Sequence, residues 1–124
     1  MTQKKTYRMG QVNRLLQEEI ANLLLTEMED ERLRSLTITE VRTAKDLSHA
    51  LVFVTTHGDE NRDNCMEAAN HSAGILRKLL YGRLHLKRVP NLEFRYDESL
   101  DRAERIFQTL RRIEEDREEE PLDS

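Results

Sequence analysis

Ser72-Ala73-Gly74-Ile75-Leu76-Arg77-Lys78-Leu79-Leu80, then Leu86-Lys87-Arg88-Val89-Pro90, then Asn91-Leu92-Glu93-Phe94-Arg95-Tyr96 is the stretch on which the fold turns. Cys65, Ala68, Ala69, Ser72, Ile75, Leu76, Leu79, Leu80 and Leu84 recur at helical period. After Pro90 the period changes to two: Leu92, Phe94 and Tyr96 face one side and Glu93 and Arg95 the other, which predicts a strand. Proline suits the strand's entry, where a missing N–H removes no ladder hydrogen bond. Gly74 allows two readings, a helix that kinks at Ser72-Ala73-Gly74 or one long helix that tolerates a glycine.

Working outward from this stretch, Met9, Val12, Leu15, Leu16, Ile20, Leu23 and Leu24 predict a first amphipathic helix, with Thr6 as a candidate cap. Leu36 to Arg42 reads as a strand. Ile38 and Val41 are three apart, so alternation breaks near Glu40 and a bulge is expected there. Lys45-Asp46-Leu47-Ser48 supplies a turn, and Ala50, Val52 and Val54 alternate with Leu51 and Phe53 in a second strand that pairs with the first. Asp59 is the expected cap of the next helix. Asp97-Glu98-Ser99 is a capping sequence for a last helix through Leu100, Ala103, Ile106, Phe107, Leu110 and Ile113. The expected architecture is one small α+β domain, a three-stranded sheet packed on helices.

Charge is distributed unevenly. Between residues 71 and 96, Arg77, Lys78, Arg83, Lys87, Arg88 and Arg95 face only Glu93, a local charge of +5 in a chain of −4. From residue 114 onward seven acids meet one base, so the preceding 113 residues carry +2. The domain is expected to span residues 1–115. Acids at the last helix's C-terminal end oppose its dipole, and residues 116–124 are expected to form an acidic tail without fixed structure. That tail is either a solvated end or an RNA mimic that competes for the basic face. A cationic segment in an acidic protein suggests a surface for phosphate and not a catalytic pocket.

Catalytic and metal chemistry find no residues at the required spacing. No two of His49, His57, His71 and His85 stand three or four apart, and no Cys-x-x-Cys exists, so neither a metal nor a cofactor is expected. Ser48, His49 and the single Cys65 form no nucleophile–base–orienter set. Arg42 and Arg95 are expected to pair with Glu40 and Glu93 across strands. The longest nearby apolar run, Leu23-Leu24-Leu25, is too short for a signal peptide or membrane span, so a cytoplasmic protein is expected.

Three blocks, in order and at matching spacing over roughly residues 8–110, resemble the ribosome-binding factor A family. They are Gln11-Val12-Asn13-Arg14 with Glu19-Ile20; Thr37-Ile38-Thr39-Glu40-Val41-Arg42 through Lys45-Asp46-Leu47-Ser48-His49-Ala50 to Val52-Phe53-Val54-Thr55; and Ala73-Gly74-Ile75-Leu76-Arg77 through Leu86-Lys87-Arg88-Val89-Pro90 to Leu92-Glu93-Phe94 and Tyr96-Asp97-Glu98-Ser99. The resemblance implies a type II KH-like fold of order α-β-β-α-kink-α-β plus a C-terminal helix, with the kink at Ser72-Ala73-Gly74. The family's usual kink is Ala-x-Gly, and Ser72 replaces the first alanine here.

The resemblance further implies a non-catalytic factor that binds 16S rRNA in free or immature 30S subunits near its 5′ end. It implies support of rRNA processing and late 30S maturation, importance in the cold, and other assembly factors as candidate partners. A monomer is expected. Glycines stand only at 10, 58, 74 and 82, so the Gly-x-x-Gly loop that clamps a nucleic-acid backbone in KH domains does not occur. Recognition therefore falls to phosphate contacts, with Ser72, Ala73, Gly74, Arg77, Lys78, Arg83, Lys87 and Arg88 as the candidate face and Arg8 and Arg14, beside Lys4 and Lys5, as its extension. The other reading is a protein-binding adaptor in ribosome assembly that touches no RNA.

Overall fold

The computed structural model describes residues 8–57 and 61–119. Helix α1 (Met9–Thr26) leads through a 3₁₀ turn (Glu31–Ser35) into strand β1 (Leu36–Thr43) and strand β2 (His49–Thr56). Helix α2 (Arg62–Tyr81), strand β3 (Asn91–Tyr96) and helix α3 (Ser99–Glu119) follow. β1 and β2 form an antiparallel hairpin, and β3 adds to β2 in parallel, so the sheet order is β1-β2-β3. A parallel neighbour requires a crossover, and α2 supplies it.

The sheet shows one face to α1 and α2. Val12, Leu16, Ile20, Leu23 and Leu24 of α1 meet Cys65, Ala68, Ala69, Leu76 and Leu80 of α2 in a single buried cluster with Ile38, Val41, Ala50, Val52, Val54, Leu92 and Phe94 of the strands. The expected bulge is present: the register slips between Ile38 and Glu40, leaving Thr39 as the extra residue. Its hydroxyl turns to Asp97 at the end of β3.

The turn before β2 is built by Asp46, whose Oδ1 accepts from the Ser48 amide at 3.0 Å and the Ser48 hydroxyl at 2.6 Å. Leu47 takes φ 61°, a conformation β-carbons resist, while its side chain packs on the core. β3 is an edge strand, and Asn70 of α2 covers its outer backbone at Phe94. The amide oxygen of Asn70 accepts from Phe94 N–H at 2.9 Å, and its NH2 donates to Phe94 C=O at 3.2 Å.

Several expectations change. α2 is one continuous helix from Arg62 to Tyr81, where two helices divided at Ser72-Ala73-Gly74 were expected. One glycine costs a helix about 1 kcal/mol relative to alanine, which is small beside the apolar stripe that runs unbroken across it. Ser72 is itself buried, and its hydroxyl donates to Ala68 C=O at 2.8 Å, so its polarity is met inside the helix. The cap of α2 is Asn61, whose side chain accepts from Asn64 N–H at 3.1 Å; Asp59 lies outside the described residues. Thr6 lies outside them as well, and the N-cap position of α1 is Arg8, with Gln11 Oε1 accepting the Arg8 N–H at 3.2 Å.

Asp97 caps the start of α3, accepting from Ser99 N–H and from the Ser99 hydroxyl. The hydroxyls of Ser99 and Thr39, with the Ser99 amide, hold the Asp97 carboxyl below the usual aspartate range. α3 runs to Glu119, and residues 120–124 of the acidic tail lie outside the described residues. The last helix also fails to close over the core. Ile106, Phe107, Leu110 and Ile113 stay between 47% and 69% exposed.

Candidate nucleic-acid interface

The cationic segment occupies the second half of α2 and the loop that joins it to β3. In the loop, apolar and polar residues alternate in their burial. Leu84 and Leu86 pack against the core, and Val89 and Pro90 are fully buried. The residues between them have no room inward, so His85, Lys87 and Arg88 are exposed. Burying a side chain such as leucine contributes about 1.5–3 kcal/mol, so these anchors hold the loop in place and hold the cations outward.

The six bases divide into two groups. Arg77 is half-buried and turned toward its own fold. Its Nε donates to Val89 C=O at 3.1 Å, its Nη2 donates to the Tyr81 hydroxyl at 3.1 Å, and its guanidinium lies 5.4 Å from the Tyr81 ring centre. Arg83 reaches back to α1, 3.3 Å from Glu27 and 3.8 Å from Glu19. Arg95 meets Glu93 at 3.4 Å, and Arg42 meets Glu40 at 2.8 Å. These last two pairs are the expected partners, though each lies within one strand, where residues two apart share a face.

Lys78, Lys87 and Arg88 are exposed, and none forms a salt bridge or hydrogen bond among the described residues. Lys78 stands in the last turn of α2, where the helix dipole favours a cation. Arg88 sits near the β1–β2 turn, close enough that its charge helps to lower the Asp46 carboxyl, behind the larger effect of the Ser48 hydroxyl and amide. Lys45 is exposed in that same turn. Arg8, at the N-cap of α1, and Arg14, within it, are exposed.

Of the small residues at the expected kink, Gly74 is exposed with open space where a β-carbon would stand, Ala73 packs on the core, and Ser72 is buried. Only Gly74 is therefore an open surface position there. Sequence reasoning passed over two neighbours on the same outer strip of α2. Ile75 and Tyr81 are each 55% exposed, and with Lys78 between them they follow one another every three residues. Their helical spacing assigned them to the core stripe or left them unread, and nothing in the local pattern separates them from buried neighbours. Among the described residues no group of three or more His, Cys, Asp or Glu could hold a metal ion, and no helix is long and apolar enough to cross a membrane.

The arrangement holds exposed cations around a loop anchored by apolar residues, a surface suited to phosphate oxygens. The family model for ribosome-binding factor A matches residues 8–110. The chain is 40% identical over 115 residues to the ribosome-binding factor A of Alkalilimnicola ehrlichii and 36% identical over 113 residues to that of Thermomicrobium roseum, covering 90% of this chain and 88% of the relative in each case. The fold is similar to the crystal structure of ribosome-binding factor A from Thermus thermophilus, with a TM-score of 0.65 at 28% identity over 73% of this chain and 97% of that one. It is also similar to a homology model of the Thermus thermophilus factor fitted into a cryo-electron microscopy map of a complex with the 30S subunit. There the TM-score is 0.54 at 30% identity, over 77% of this chain and 97% of that one. With its motifs, its strand order and its matched length all in agreement, the chain belongs to the ribosome-binding factor A family.

Proposed function

We propose that this chain binds 16S rRNA in free or immature 30S subunits through Lys78, Lys87 and Arg88, and that it assists late maturation and rRNA processing without catalysis. The observation that carries this reading is the pairing of apolar anchors, buried at Val89 and Pro90 and partly buried at Leu84 and Leu86, with exposed cations that meet no acid among the described residues. Leu84, Leu86, Val89 and Pro90 fix the loop, and Lys78, Lys87 and Arg88 stand exposed around it. Its relative from Thermus thermophilus, placed in a 30S complex, supports the choice of the small subunit.

In this reading the α+β body acts as a KH-like scaffold whose phosphate contacts replace the missing Gly-x-x-Gly clamp. Arg77 positions the loop through the Val89 carbonyl, and Arg8 and Arg14 extend the footprint along α1. The protein acts as a cytoplasmic monomer, and its loss slows growth in the cold, when misfolded rRNA escapes slowly.

Co-sedimentation tests the proposal. The triple variant K78E/K87E/R88E is expected to leave the 30S fraction while keeping its circular dichroism spectrum. Retention of the variant on the subunit overturns the assignment of this face. Zero-length crosslinking separates the adaptor reading: adducts to 16S rRNA support RNA contact, and adducts to ribosomal proteins alone oppose it.

A further inference from the structure

Among the described residues, two apolar surfaces near the end of the sheet face solvent. One is the stripe of α3, with Ile106 55%, Phe107 69%, Leu110 51% and Ile113 47% exposed. The other is the sheet face turned away from α1 and α2. There Leu51 and Phe53 of β2 stand half-exposed, outside the core cluster, because Ala50, Val52 and Val54 hold the inner positions. Leu51 lies between Arg42 and Glu93 in register, and Phe53 lies between Glu40 and Arg95. The Arg42 guanidinium stands 5.5 Å from the Phe53 ring centre. The sheet face is thus an apolar centre flanked by charge pairs that neutralise one another within each strand. Such a surface has little field to attract RNA and is shaped like the middle of a protein interface.

We propose that α3 folds back over this open sheet face and is its occupant. The tether favours it: Asp97 and Glu98 alone separate β3 from α3, so a returning helix would run antiparallel to β3 directly above the sheet. The lengths agree. Ile106 to Ile113 spans about 10 Å of helix axis, against about 7 Å between Leu51 and Phe53 along their strand.

The charges agree as well. Glu114 is about 22 Å along the helix from Ser99, and β3 is about 17 Å long from Tyr96 back to Asn91. Glu114, Glu115 and Asp116 would therefore pass the Asn91 end of β3. The β1–β2 turn that carries Lys45 lies at that end, because the Asn91 amide donates to Ser48 C=O at 3.1 Å, and Arg88 stands three residues before Asn91 in the chain. In the closed form the acids of α3 occupy the bases nearest the sheet, and an anion that binds Arg88 displaces them. That consequence rests on the proposed rRNA contact; the docking itself does not.

The test is nuclear Overhauser spectroscopy on the full chain, free in dilute solution. Contacts are expected from the Phe107 ring and the Leu110 and Ile113 methyls to the Leu51 methyls and the Phe53 ring. F107E/L110E is expected to abolish them and to shift the Leu51, Phe53 and Lys45 resonances. It changes only exposed side chains, so the fold should hold, and L51K attacks the same contact from the sheet. Absence of these contacts in the wild-type chain overturns the proposal. So does their appearance only between labelled and unlabelled copies in a mixed sample, which would assign the face to a second copy of the chain.

Discussion

Arg77 and Lys78 are neighbours in sequence and opposites in use. Arg77 is half-buried, bonded to the Val89 carbonyl and stacked beside Tyr81. Lys78 stands in solvent with its charge unmet by any acid among the described residues. The same division separates Arg83, held by Glu27 and Glu19, from Lys87 and Arg88 only a few residues later. A basic segment is therefore not one surface. Part of it holds the fold in place, and part is held out by the fold.

Substitution can break this comparison at several points. The largest effect is expected from K78E/K87E/R88E. Losing three charge-assisted contacts and adding repulsion should weaken 30S binding on the order of 100-fold or more, with the melting temperature unchanged. Next comes R77M, which removes the donor to the Val89 carbonyl in a part-buried hydrogen bond. It should destabilise the chain by about 1–3 kcal/mol, seen in urea unfolding, with a smaller loss of binding than the triple variant.

Smaller still is G74A. With nothing within 4 Å of the added methyl beyond the helix's own adjacent backbone, alanine should stabilise α2 by about 0.5–1 kcal/mol. A loss of stability there would revive the kinked helix. R83Q should be smallest, since its ion pairs are substantially exposed and each such pair contributes at most about 1 kcal/mol. Binding by R83Q should stay within a few-fold of wild type; a loss comparable to that of K78E/K87E/R88E would erase the distinction between the two groups.

Much of the fold was legible because its signals were local. The bulge at Thr39 followed from a three-residue spacing, the turn from Asp46 and Ser48, and the entry of β3 from Pro90. The continuity of α2 was harder to read. Gly74 permits a bend, and only the buried stripe on either side decides whether the helix takes it. The clamp of Asn70 on β3 had no sequence signal, since its partners are backbone groups 24 residues away.

The candidate site was legible in composition and not in geometry. Six bases could be counted, but burial and partners set their roles. Arg77 meets a carbonyl 12 residues on, and Arg83 meets acids on a helix far earlier in the chain. α3 marks the same limit. Its period states that one side wants cover, as that of α2 does, yet the stripe of α2 is buried and that of α3 is not. Amphipathicity specifies a need for a partner without naming it.

The most direct measurement is the salt dependence of binding to isolated 30S subunits, compared between the wild-type chain and K78E/K87E/R88E. Each phosphate neutralised contributes about −0.7 to −0.9 to the slope of log affinity against log salt. The wild-type chain should fall steeply, and the variant's slope should be shallower by about two to three. Equal slopes for the two proteins, or a wild-type affinity indifferent to salt, would contradict the proposed role of these three cations.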